Sequence, residues 1–206
     1  MQKVTSISEL QNQLKQWRKQ GLSIAFVPTM GNLHAGHIKL VTEAKKKADK
    51  VVVSLFVNPT QFGVGEDFES YPRTELEDEK KLVKALADLL FIPSVFEMYP
   101  AKETTTVSVA GLSSLHCGAH RAGHFDGVAT VVSKLFNMVQ PDIAVFGEKD
   151  FQQLAVIKKM VQDLNSPVEI IGVATQRESD GLAMSSRNGY LSEQERVIAP
   201  KLYLSL

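Results

Sequence analysis

Short apolar runs alternate with amphipathic stretches along this chain. Residues 23–28 (SIAFVP) read as a short buried strand. Residues 51–57 (VVVSLFV) read as a strand covered on both faces, because β-branched and aromatic side chains follow one another almost without a polar break. LLFIPS at 89–94, DIAVFG at 142–147 and EIIGVAT at 169–175 predict further strands. Helical periodicity fills the intervals. It covers 36–49, then 74–89 with Thr74 placed to cap, then a mostly buried 125–140 that stops before Pro141, and finally 150–164, opened by Asp150. Repeated strand–helix alternation predicts an α/β fold, a parallel sheet with helices on both faces.

Ligands of such sheets sit beyond the carboxyl ends of the strands. That rule singles out 28–37, 58–63, 147–153 and 176–187, and these segments have unusual compositions. PTMGNLHAGH (28–37) sets His34 and His37 three residues apart where a helix opens after a strand, so both rings can face one side. A helix N-terminus offers free N–H groups and partial positive charge to a phosphate, and Gly31 and Gly36 let backbone approach a ligand. Surface or capping chemistry and a metal pair are the competing readings of an HxxH spacing. No third ligand follows in a metalloprotease-like pattern.

FVNPTQFG (56–63) carries the amides of Asn58 and Gln61, suited to a hydroxyl-rich acid, although Asn-Pro also marks an ordinary turn. FGEKDFQQ (146–153) places Lys149 at a strand end and Gln153 a turn further on; Asp150 is equally well explained as a helix cap. DGLAMSSRN (180–188) joins two serines to Arg187, a set able to clamp a triphosphate. GAHRAGHFDGV (118–128) adds Arg121 and His124, and a structural role for His124 is as good as a binding one. The final stretch begins with a capping box, Ser192 to Glu195, meets Pro200, and stops on the apolar LYLSL. It reads as an interrupted domain.

Composition narrows the classes. Lys plus Arg equals Asp plus Glu, 23 each, so no net field draws the chain to nucleic acid or a membrane. No run approaches ~18 apolar residues, and the polar, periodic N-terminus is unlike a signal peptide. A single thiol, Cys117, makes no internal disulfide or cysteine metal cage and suits a reducing compartment; an incidental thiol is a simpler reading than a nucleophile. The expectation is a cytoplasmic protein acting on small molecules.

The strand–TMGxLHxGH–helix segment resembles the HIGH-type signature of the nucleotidyl-transferase superfamily. Taken with FVNPTQFG and YPRT (71–74), the RAGHFDGV and FGEKDFQQL blocks, and DGLAMSSRN, the chain resembles the pantothenate synthetases from about residue 22 onward. The AMSSRN segment is similar to a KMSKS loop without its leading lysine. The resemblance implies a Rossmann-like domain over 1–190 and, over 191–206, the start of a C-terminal lid domain that is largely missing. It implies ATP-dependent joining of pantoate to β-alanine through pantoyl adenylate, with a homodimer as the working form.

By that resemblance Met30, Gly31, Asn32, Leu33, His34, Ala35, Gly36 and His37 line the ATP site. Gly147, Glu148, Lys149 and Asp150 form a second ATP stretch, Gln176 stands where the family's backbone meets adenine, and Met184, Ser185, Ser186 and Arg187 close over the nucleotide. His34, His37, Lys149 and Arg187 would stabilise developing charge, His37 as a hydrogen-bond donor. Gln61 and Gln153 would hold pantoate, supported by Asn58. Mg²⁺ would ride mainly on ATP phosphates, with Asp78 and Glu77 as weaker protein candidates. Ala122 stands where the family often has proline. The 104–109 segment (TTTVSV) is a candidate pairing edge for the dimer.

Overall fold

Among the described residues of the computed structural model, 1–101 and 104–205, six strands form one wholly parallel sheet. They are β1 (Gln2–Val4), β2 (Ile24–Thr29), β3 (Lys50–Leu55), β4 (Leu89–Phe91), β5 (Ile143–Gly147) and β6 (Glu169–Val173), in the spatial order β1-β4-β3-β2-β5-β6. The helices are α1 (Ile7–Lys19), α2 (Ala35–Lys45), α3 (Glu75–Lys84), α4 (Val95–Met98), α5 (Cys117–His120), α6 (His124–Val139), α7 (Phe151–Asp163), α8 (Glu193–Ile198) and α9 (Lys201–Leu204).

Alternation along the central strands builds two cores. Ile24 and Phe26 of β2 face one layer with Leu10, Leu14 and Trp17 of α1, Leu135 and Phe136 of α6, and Ile157 of α7. Ala25 and Val27 face the other, with Leu40, Val41 and Ala44 of α2 and Leu82 of α3. Burying a side chain such as Leu or Phe contributes about 1.5–3 kcal/mol, so a sheet sandwiched in this way holds its strand ends rigidly. Strand order runs from β4 through β3 to β2, then restarts at β5. The crevice therefore opens between the carboxyl ends of β2 and β5.

Boundaries depart from the sequence pattern where the chain turns. The helix expected over 36–49 ends at Lys45, and the one over 74–89 ends at Lys84, before Leu86 adopts φ 59. The strand expected over 89–94 covers only Leu89–Phe91, because the chain leaves the sheet before Pro93. Thr74 and Asp150 occupy cap positions, yet neither side chain makes a cap hydrogen bond. Edge strand β1 was not signalled: only Val4 of its three residues is buried.

The 104–109 segment forms no strand within the chain: Val109 is buried and the Val107 N–H donates to Thr130 Oγ1 of α6 at 2.9 Å, while 104–106 and Ser108 are exposed. At the C-terminal side, the capping box of Ser192 and Glu195 starts α8, and Pro200 separates it from α9. Tyr203 then stacks on the Arg177 guanidinium at 3.6 Å.

Candidate active site

A cavity of about 250 Å³ lies at the carboxyl ends of β2, β5 and β6, walled by all four strand-end segments and by α6. The loop after β2 is held open by a buried carboxylate. Asp78 of α3 accepts from the Asn32 and Leu33 N–H groups, both at 2.8 Å, while Lys81 donates to the Leu33 carbonyl at 2.6 Å. These bonds fix a left-handed pair, Gly31 at φ 88 and Asn32 at φ 48. Glycine accommodates that conformation readily and asparagine tolerates it.

His34 then caps α2. Its Nδ1 accepts from the Gly36 N–H at 3.1 Å, and His37 Nδ1 accepts from the His34 N–H at 3.3 Å. An Nδ1 that accepts carries no proton, so in each neutral ring the proton sits on Nε2, free to donate. The rings lie 4.1 Å apart. Burial, then the His34 ring and the Lys149 and Lys81 ammoniums, press the His37 pKa down to about 3. Burial lowers that of His34 as well, with Lys149 and Lys81 adding to it. Both are neutral hydrogen-bond donors at neutral pH.

A second corner is built from amides. The Thr60 N–H can only donate and the Gly127 carbonyl can only accept. Their contacts with Asn58 Oδ1 (3.4 Å) and Nδ2 (3.2 Å) therefore fix which way that amide faces. The Tyr99 hydroxyl donates to the same Oδ1 at 2.7 Å. Asn58 Nδ2 also donates to Gln61 Oε1 at 3.2 Å, which turns Gln61 Nε2 toward Met30 Sδ, 3.3 Å away, where both side chains line the cavity. His124 Nδ1 donates to the Gln61 carbonyl at 2.7 Å, leaving Nε2 to accept from Arg121 Nη1 at 3.0 Å. Burial holds the His124 pKa below its usual value.

Close approach of α6 makes this corner possible. A Cβ on Gly127 would stand 2.4 Å from the Thr60 carbonyl oxygen. The helix then presents Val128, Val131, Val132 and Leu135 as an apolar wall.

The cavity brings together Met30, His34, Gly36, His37, Gln61, Gly147, Lys149, Asp150, Gln153, Gln176, Met184, Ser185, Ser186 and Arg187 as expected, and also Arg121 and His124. Other expected residues sit elsewhere. Leu33 is core, Ala35 faces solvent, Glu148 lies outside the cavity wall, and Gly31 lines a neighbouring cavity behind the loop. Asn58 stands behind Gln61 as its support. Asn32 latches two loops: its Nδ2 donates to the Ser186 carbonyl at 3.2 Å, and Ser186 Oγ donates to the Asn32 carbonyl at 3.0 Å.

Asp78 is committed to loop N–H groups, and exposed Glu77 pairs with Lys80 at 2.8 Å; neither lines the main cavity. Sequence reasoning missed the α6 wall and Tyr71. The wall was legible only as a buried helical face, and Tyr71 appeared only within the YPRT string.

Open parallel sheets take their ligands at the switch point, and a helix N-terminus with cations there suits a phosphate-bearing ligand; this fold and site define a member of the α/β class built for such anions. Comparison with known proteins narrows it. The family model of pantoate-beta-alanine ligase matches residues 2–206, and the chain belongs to that family. It is 62% identical to the pantothenate synthetase of Colwellia psychrerythraea, covering 100% of this chain and 72% of that protein. The crystal structure of pantothenate synthetase from Thermus thermophilus superposes with a TM-score of 0.96 at 53% identity, over 100% of this chain and 73% of that one. The Francisella tularensis pantoate-beta-alanine ligase, solved with beta-gamma ATP and beta-alanine, gives 0.94 at 39% identity, over 99% and 78%.

Proposed function

We propose that this chain condenses pantoate with β-alanine using ATP, through a pantoyl adenylate, and releases AMP and pyrophosphate. The observation that carries this reading is the convergence of four strand-end segments on one cavity holding neutral histidine donors, a lysine, an arginine and an amide corner against an apolar wall.

The pantoate carboxylate attacks the α-phosphorus of ATP, and pyrophosphate leaves. A carboxylate nucleophile has no proton to lose, so no general base is needed for that step. The task is to place two anions together and to stabilise the charge that spreads onto the phosphate oxygens. The Nε2–H groups of His34 and His37 and the Lys149 ammonium supply that stabilisation, and Arg187 meets the departing pyrophosphate. Gln61 and Gln153 bind the hydroxyls and carboxylate of pantoate, while the α6 valines take its two methyl groups. The neutral β-alanine amine then attacks the activated carbonyl; the C–N bond forms, the C–O bond to phosphate breaks, AMP departs, and the proton lost by nitrogen passes to the AMP phosphate or to water.

Magnesium enters as part of the substrate MgATP, held by phosphate oxygens. Asp150 is the acid in the cavity wall among the described residues. In the same reading the protein is a cytoplasmic homodimer with residues 1–190 as its nucleotide-binding domain. No helix among the described residues is long and apolar enough to cross a membrane.

Isotope exchange between pyrophosphate and ATP tests the assignment. Exchange should require pantoate, and a mixture supplied with β-alanine should form pantothenate and AMP. Exchange that proceeds without pantoate would instead indicate an enzyme that leaves a nucleotide on its product. His37→Ala and Lys149→Ala should each slow exchange by about 10²–10³-fold, the usual effect of removing one transition-state donor. Near wild-type exchange in both would reject these roles.

A further inference from the structure

Both arginines in the cavity wall already have the Nε/Nη2 edge of the guanidinium taken by a carboxylate. Asp67 takes Arg187, with Nε donating to Oδ2 and Nη2 to Oδ1, each at 2.8 Å. Glu66 takes Arg121, with Nε donating to Oε1 at 2.7 Å and Nη2 to Oε2 at 2.5 Å. The Tyr190 hydroxyl adds a contact to Asp67 Oδ2 at 3.2 Å. The two acids are adjacent on the segment leading from the 59–61 turn to α3, and neither lines the cavity. That one segment ties together the loop before α6 and the loop carrying Met184 to Arg187.

A guanidinium fork matches carboxylate and phosphate with the same paired geometry. A phosphate that pairs with the Nε/Nη2 edge of either arginine must displace the carboxylate already there. Arg187 lowers the Asp67 pKa and Arg121 lowers that of Glu66, so both acids are ionised at neutral pH and compete as full anions.

We propose that Asp67 and Glu66 are positioning residues that act as internal competitors of the substrate's phosphates. They hold Arg187 and Arg121 at the cavity edge, yield the forks when the triphosphate binds, and reclaim them as pyrophosphate leaves. The inference rests on the reading of Arg187 as a phosphate ligand. It predicts a sign that a purely structural role would not give. If Asp67 only ordered its loop, removing its charge would weaken anion binding. As a competitor, its removal strengthens binding.

The probe is inorganic pyrophosphate with Mg²⁺, titrated calorimetrically into the wild-type protein, Asp67→Asn, Arg187→Ala and the double variant. Asp67→Ala serves as a second neutral substitution, with circular dichroism to confirm folding. Both neutral variants should bind pyrophosphate about three-fold tighter, up to about five-fold, the range associated with an exposed ion pair that no longer has to be broken. KM for ATP should fall in parallel, and product inhibition by pyrophosphate should deepen. In the Arg187→Ala background, Asp67→Asn should have no effect. Equal or weaker binding by the folded Asp67 variants overturns the proposal. Wild-type binding by Arg187→Ala overturns the underlying role of Arg187 instead.

Discussion

Asp78→Asn separates an anchor from a metal ligand. The Asp78 carboxylate is fully buried and accepts two backbone N–H groups at 2.8 Å, with the Lys81 ammonium 3.9 Å away. In the asparagine variant the single amide oxygen accepts one N–H, and the amide nitrogen confronts the other. Hydrogen bonds to charged groups contribute about 1.5–3 kcal/mol, and a buried donor left unpaired costs about 1–3 kcal/mol. Losing one charged acceptor and stranding one donor should therefore destabilise the protein by about 3 kcal/mol. At this chain length that corresponds to a fall in Tm of about 6–12 °C. Urea unfolding followed by circular dichroism, without ATP or magnesium, reads the stability directly. The same variant should lose adenylate formation, because Asn32 and Leu33 lead directly into His34, and extra Mg²⁺ should not restore it. Unchanged stability, together with activity recovered by raising Mg²⁺, would refute the anchor and reinstate Asp78 as a metal ligand.

Two further perturbations probe the histidines and the amide corner. His37 is neutral in the folded protein down to about pH 3, whereas an unfolded histidine takes up a proton below about pH 6.5. Its contribution is complete above pH 6.5 and is lost as pH falls toward 3, at about 1.4 kcal/mol per pH unit. The stability difference between wild type and His37→Asn should therefore shift against wild type by about 2 kcal/mol between pH 7 and pH 5 in urea titrations; parallel curves would contradict the buried neutral ring. Asn58→Asp replaces the donor facing Gln61 Oε1 with an acceptor and drives the Gln61 amide to flip. KM for pantoate should rise about ten-fold or more while KM for ATP moves little, since losing a buried hydrogen bond costs about 1–3 kcal/mol. Equal changes in both constants would dismiss the orienting role.

Local rules were enough for much of this molecule. Five of the six strands, helices α2, α3, α6 and α7, and the four strand-end segments follow from hydrophobic period and turn residues, because each depends on side chains close together in the chain. The pairing of His34 with His37 was legible for the same reason: helical spacing brings both rings to one side. Strand β1 was not, since three residues carry too little periodicity and the strand exists only because β4 pairs with it. The bonds that set the chemistry are long-range. Asp78 holds a loop 45 residues earlier, and Asn58 orients Gln61 only because Gly127, 69 residues later, brings α6 against the turn. Asp67 meets Arg187 across 120 residues. Periodicity constrains neighbours along one element, whereas partners this distant are chosen by how elements stack on the sheet. The residue types at the crevice could be read from the chain; their tautomers, orientations and partners came from the packing.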